Sequence, residues 1–189
     1  TSRRDRGTFA ALSRGGEKNK DGFPLGRDYI ASYGFTHVQL RPVRDYQTVN
    51  DEAVFDSYNW GYDPRFYFAP EGSYSTDPMD PYARNRELKE LISSFHERGI
   101  RVNLDVVYNH VFSQDFNSLG LLCPEYYFRH NPDNTLSNGA GCGNDLESRN
   151  YRVKKLIKDS IRHWIDAFDI DGLRFDLMGI LDVETIKEC

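Results

Sequence analysis

The 189-residue chain carries 24 Lys and Arg against 29 Asp and Glu, a net charge of −5. That length suits one domain or part of a larger one. A net acidic chain without a basic run argues against nucleic acid or an anionic membrane as a partner, and no apolar run approaches a membrane span. The opening Thr1-Ser2-Arg3-Arg4-Asp5-Arg6 has no apolar stretch behind it and does not read as a signal peptide. Nothing in the segment separates a cytoplasmic from a secreted location.

Taken in chain order, the first predicted element is a weak helix over 26–33, stopped at Gly34, followed by a strand over 35–40. A helix over 84–98 follows from Leu88, Leu91, Ile92 and Phe95 at i, i+3, i+4, i+7, with Gly99 as its stop. A strand over 100–107 comes next. Val153, Leu156, Ile157, Ile161, Trp164, Ile165 and Phe168 predict a second amphipathic helix over 150–168, leading to a strand over 172–177. Asp182 reads as the N-cap of a last helix.

Each helix runs into its strand within one to three residues, whereas 41–83 and 108–149 separate each strand from the next helix. Repeated helix–strand units predict a parallel sheet. Structureless stretches of about forty residues, all on one side, are usually functional. This is the asymmetry of a (β/α)₈ barrel, whose site lies at the carboxyl ends of its strands. An open doubly wound sheet competes, but no Gly-x-Gly-x-x-Gly follows any strand. A full barrel needs about 250 residues, so residues 1–189 read as one partial barrel, about strands 2 to 4 with their helices, cut at both ends.

Strand alternation puts Gly172, Arg174 and Asp176 on one face and Leu173, Phe175 and Leu177 on the other. A guanidinium beside Asp176 favours the ionised, nucleophilic form; a purely structural Arg–Asp pair is an equal reading. Asp105, inside an apolar strand, needs a partner, and Arg174 on the next strand is the obvious one. Asn109 and His110 lie just past that strand's end, on the same rim. Tyr58-Asn59-Trp60-Gly61-Tyr62-Asp63-Pro64 mixes rings and carboxylates as a carbohydrate site does, or as a self-packed loop does. Aromatics make up 14% of the chain, which serves sugar stacking or core packing alike. Three cysteines without a Cys-x-x-Cys pair indicate no zinc site or disulfide framework, while one Cys123–Cys142 bridge stays open.

Asp105-Val106-Val107-Tyr108-Asn109-His110 and Gly172-Leu173-Arg174-Phe175-Asp176 resemble the third- and fourth-strand signatures of the α-amylase family of glycoside hydrolases. The 58–64 stretch resembles a signature of its type I pullulanase subgroup. The stretches 36–40, 70–78, 141–145 and 175–179 agree with that subgroup, so the resemblance runs from about Gly7 to Ile180. It implies a (β/α)₈ barrel and hydrolysis of α-1,6 branch linkages in pullulan, amylopectin or limit dextrins, with a branched α-glucan as partner.

Residue by residue, the resemblance implies Asp176 as nucleophile, Arg174 as its holder and Asp105 as the structural aspartate. It implies His110 in contact with the cleaved sugar and Tyr62 stacked beneath it, with Trp60 and Asp63 beside them in the substrate loop. Asn109 matches a position that ligates calcium in many relatives; the metal is not carried over, and no organic cofactor is expected. The general-acid glutamate and a third carboxylate are expected beyond Cys189, so these residues by themselves are expected to be inactive. Arg41 departs from the apolar residue common at its position. Rival readings are another debranching or amylopullulanase-type enzyme, separable by pullulan against starch fragments, and a non-catalytic glucan-binding relative, against which Asp176, Arg174 and His110 stand.

Overall fold

The structure, a computed structural model, describes residues 5–51, 53–56 and 58–189. The first four residues of the opening segment, and Glu52 and Ser57 in the first long loop, lie outside the described residues.

Helix α1 (Phe9–Ser13) and helix α2 (Gly26–Ser32) lead into strand β1 (His37–Leu40). Helix α3 (Pro81–His96) leads into β2 (Arg101–Val106). Two short helices, α4 (Ser118–Leu122) and α5 (Pro124–Tyr127), precede the long α6 (Tyr151–Phe168), which leads into β3 (Gly172–Phe175) and then α7 (Val183–Glu188). The three strands form one parallel sheet in the order β1-β2-β3. This sheet, with its helices and long βα loops, is part of a (β/α)₈ barrel, as the helix–strand spacing predicts.

Local chemistry sets the boundaries. α3 starts earlier than its apolar periodicity indicates, because Asp80 accepts from the Tyr82 backbone N–H at 2.9 Å and Pro81 occupies the first turn. Gly99, at φ +70°, turns the chain from that helix into β2. α6 ends at Asp169, which takes the left-handed conformation at φ +58° without being glycine. The predicted cap at Asp182 is present, its carboxylate accepting from the Thr185 N–H at 2.9 Å.

The two faces of the sheet divide the labour. Val102, Leu104 and Val106 are fully buried against helix residues, among them Leu88, Leu91, Ile92 and Phe95 of α3 and Val153, Ile157 and Trp164 of α6. Burying such a side chain is worth about 1.5–3 kcal/mol, so this interface anchors the sheet. The opposite face is polar. In register across it lie the row Gln39, Asn103, Gly172 and the pair Asp105, Arg174. Gly172 leaves room there for Asn103, since a Cβ would stand 2.5 Å from its side-chain oxygen and displace that side chain.

One expectation fails. Leu177 does not continue the apolar face of the last strand. Regular pairing ends at Phe175, and Leu177 sits at φ +45°, about half exposed. The chain turns there to bring Asp176 onto the rim. The alternation rule holds only while strand geometry does.

The two long connections are folded lobes. In the first, residues 43–46 run back along 64–71, with bridges Arg44–Pro70 and Tyr46–Pro64. In the second, 110–112 meet 144–145. α1, α4 and α5 escape sequence reading because four- and five-residue helices carry too little periodicity. Cys123, Cys142 and Cys189 are free and exposed, so the open Cys123–Cys142 pairing is not formed. Among the described residues no helix is long and apolar enough to cross a membrane.

Glu71 is the buried clasp of the first lobe. Its Oε2 accepts from the Tyr46 N–H at 3.1 Å and its Oε1 from the Ser73 N–H at 2.8 Å. Burial pushes its carboxyl up to about 7. A folded-state value raised above the unfolded one favours folding while the carboxyl is protonated; that advantage fades as pH rises from about 4.5 towards 7. Glu71→Gln turns an amide nitrogen towards one of the two N–H donors. It is expected to accelerate amide exchange at Tyr46 and Ser73, equivalent to about 1–3 kcal/mol of lost protection. The penalty should be larger at pH 4.5 than at pH 7.5. Hydrogen exchange at the two pH values checks both the size and the sign.

Candidate active site

The rim at the carboxyl ends of β2 and β3 is built around one buried carboxylate. Asp105 is 3% exposed. Its register partner is Arg174, whose Nη1 donates to both its oxygens at 2.9 and 3.0 Å. The same Nη1 donates to Asp176 Oδ1 at 2.8 Å. One guanidinium nitrogen therefore bridges a structural carboxylate and a rim carboxylate. The two acids in turn keep Arg174 firmly charged, the hydrogen bond to Asp105 foremost.

Tyr62 arrives from the first lobe and donates its hydroxyl to Asp105 Oδ2 at 2.8 Å. Burial, then the hydrogen bond to Asp105, raises its phenol, so it stays a neutral donor. Asn109 sits beneath Asp176, donating from Nδ2 to the Asp176 carbonyl at 2.8 Å and towards its carboxylate at 3.4 Å. The Asp176 N–H donates to the Val106 carbonyl at 2.9 Å, continuing the sheet ladder past the strand end.

His110 is 3% exposed. Its Nε2 meets the backbone carbonyl of Tyr62 at 2.9 Å, and its Nδ1 meets the side-chain oxygen of Asn109. Burial lowers its pKa, against the opposing pull of the Tyr62 carbonyl and of Asp176, Asp145 and Asp63. Burial thus disfavours the charged ring. The 141–145 stretch holds it in place: Asn144 Oδ1 accepts from the Val111 N–H at 3.1 Å, and Asp145 bridges to His110. The Asp145 carboxylate accepts from Ser137 Oγ and the Gly139 N–H at 2.6 Å each and from the Ala140 N–H at 2.9 Å. Sequence reading gave Asp145 no role; its carboxylate is saturated by the donors of its own lobe.

Six of the eight predicted site residues form one connected network: Asp105, Arg174, Asp176, Tyr62, Asn109 and His110. Two stand apart from it. Asp63 Oδ2 accepts from the Thr48 N–H at 2.8 Å, from Thr48 Oγ1 at 2.5 Å and from the Asn59 amide at 3.3 Å, so this oxygen shapes the loop. Trp60 is 55% exposed, with the Arg41 guanidinium 4.3 Å from its ring centroid. As for calcium, both polar atoms of the Asn109 side chain are already engaged, with His110 and Asp176. Asn109 thus does not fit a calcium ligand as placed. Among the described residues no group of three or more His, Cys, Asp or Glu is gathered for a metal ion.

The network predicts an asymmetry between its members. Asp105→Asn leaves Arg174 facing an amide from a buried position; with Arg174 itself part-exposed, the expected cost is about 1–3 kcal/mol, below the 3–5 of a fully buried pair. Tyr62→Phe removes one of the three hydrogen bonds that the Asp105 carboxylate accepts and is expected to cost about 1 kcal/mol. Chemical denaturation of the two variants checks the order.

A family model described as "Alpha amylase, catalytic domain" matches residues 25–136. A curated pullulanase of Bacillus subtilis (strain 168) is 42% identical over 182 residues, covering 96% of this chain and 25% of the relative. The crystal structure of a type I pullulanase from B. subtilis str. 168 with maltose superposes at TM-score 0.95 and 42% identity, over 97% of this chain and 26% of that one. A Paenibacillus barengoltzii pullulanase, solved with maltohexaose and α-cyclodextrin, gives TM-score 0.93 and 49% identity over 97% and 29%. This chain thus spans about a quarter of the length of these relatives. With the parallel sheet, the Asp105–Arg174–Asp176 rim and the family model in agreement, the chain belongs to the alpha-amylase catalytic-domain family.

Proposed function

We propose that these residues are the nucleophile-bearing part of a retaining α-glucan debranching hydrolase of pullulanase type, acting on α-1,6-glucosidic bonds in pullulan, amylopectin or limit dextrins. The observation that carries the reading is the shared Arg174 Nη1. It fixes the orientation of the Asp176 carboxylate while leaving the second oxygen, Oδ2, with only the long 3.4 Å approach of Asn109. An oriented carboxylate with one weakly engaged oxygen at a barrel rim suits attack on an anomeric carbon. The pullulanase names and the bound maltose and maltohexaose of the relatives support an α-glucan as the substrate class.

In this mechanism Asp176 forms the glycosyl-enzyme. A second carboxyl group about 5–5.5 Å away protonates the leaving oxygen and then activates water. Asp105 cannot supply that acid, because Arg174 and Tyr62 occupy it, and Asp145 is saturated within its own lobe. The family resemblance implies a glutamate beyond these residues as that general acid. Tyr62 offers its ring to the glucose while its hydroxyl is tied to Asp105, and buried His110 supports the same rim through Tyr62 and Asn109. The reading requires no organic cofactor.

The test is Asp176→Asn in the full-length protein. Turnover on pullulan, followed as reducing-sugar release, is expected to fall by several orders of magnitude with the thermal transition little changed. Retention of more than about a tenth of the wild-type rate would remove Asp176 from the nucleophile role.

A further inference from the structure

The pair left unexplained by the rim network is Arg41 and Trp60. Arg41 is the first residue beyond β1, so it stands at the carboxyl end of that strand, on the same side of the sheet as the rim. Its guanidinium carbon lies 4.3 Å from the centroid of the Trp60 ring. The backbone on either side of Trp60 is pinned. Gly61 sits at φ +85° against Pro42, where a Cβ would stand 3.0 Å from both the Pro42 Cβ and its carbonyl oxygen. Asn59 Oδ1 accepts from the Gly61 N–H at 2.7 Å, and its amide donates to Thr48 Oγ1 at 2.7 Å and to the Thr48 carbonyl at 3.1 Å. Residues 60 and 41 are thereby held face to face by their neighbours.

We infer that Arg41 is a positioning residue that backs Trp60 as a second sugar platform, next to Tyr62, for a neutral α-glucan chain. The inference rests on the glucan reading above and adds to it a role for Arg41, which sequence reasoning left without one. Arg41 stacks over the indole, and Trp60 is still 55% exposed. An aromatic ring held by such a stack and still half open offers its remaining surface to the apolar face of a pyranose without first losing its own rotational freedom. A guanidinium suits the backing role better than an ammonium, because it is planar and stacks. The loop carries the platform and the rim together: two residues after Trp60, Tyr62 is tied to Asp105.

The experiment uses the full-length protein, with acrylamide quenching of tryptophan fluorescence in the presence and absence of maltohexaose. The Trp60→Phe variant identifies the Trp60 signal by subtraction. Maltohexaose is expected to shield Trp60. Arg41→Ala is expected to increase its quenching without sugar and to raise KM for pullulan by about two- to fivefold, the scale of an exposed cation–π contact. The loss should fall on KM rather than kcat, and Arg41→Lys should restore part of it. An unshielded Trp60 in wild-type protein that binds maltohexaose and cleaves pullulan overturns the platform and leaves the glucan reading intact. A fall in kcat at unchanged KM overturns it as well. Wild-type protein that neither binds maltohexaose nor cleaves pullulan overturns both readings. If Arg41→Ala fails to fold, the wild-type shielding and the Arg41→Lys kinetics decide.

Discussion

A carboxylate in the middle of a strand flanked by Leu104 and Val106 is costly to bury, and the rest of the rim follows from how that cost is met. Asp105 cannot be left alone, so β3 must present Arg174 at the matching register, and the first lobe must fold far enough over the sheet for Tyr62 to reach it. A slip of one residue between β2 and β3 would put Leu173 or Phe175 opposite Asp105 and turn Arg174 towards the helices. The ion pair therefore acts as a register lock whose by-product is an oriented Asp176.

The lobes meet this rim through a small set of buried groups. Tyr67 ties them together: its hydroxyl donates to the His110 carbonyl at 3.0 Å, and its own carbonyl accepts from Ser160 Oγ at 2.7 Å and the Trp164 indole N–H at 2.9 Å. Arg44 lies beneath, 4.2 Å from the Tyr108 ring centroid, and donates to the Val107 carbonyl at 2.7 Å. Glu71 closes the first lobe and Asp145 the second. Both connections are thus fastened to α6 and to the end of β2. Side chains that would meet a sugar, Tyr62, Trp60 and His110, sit on backbone that packing has already fixed, which is what a binding site needs if little ordering is to be lost on association.

Charge at the rim is arranged so that each acid has a different task. Asp105 is consumed by structure, Asp145 by its lobe and Asp63, through one oxygen, by the Thr48–Asn59 turn. Asp176 alone combines a fixed orientation with an oxygen held only at long range. Burial disfavours a charged His110 against the opposing pull of three nearby carboxylates, which limits the positive charge beside Asp176.

Much of this was legible in the sequence. The long apolar stripes of α3 and α6, the short helix-to-strand joints and the long connections on the other side determined a parallel sheet with its site at the carboxyl ends, because periodicity and loop length are local properties. The pairing of Asp105 with Arg174 was legible for a different reason: a charge in an apolar strand has few partners. Tertiary structure alone decided the rest. The end of β3 at Phe175, with Leu177 turned out of the strand, depends on the chain having to present Asp176 rather than on any propensity. The diversion of Asp63 to Thr48, and the engagement of the Asn109 amide nitrogen by Asp176, depend on neighbours 15 and 67 residues away. The stacking of Arg41 on Trp60 arises because Gly61 lets one loop lie directly against Pro42. Contacts between distant segments are set by how the lobes close over the sheet, and no window along the chain contains both partners.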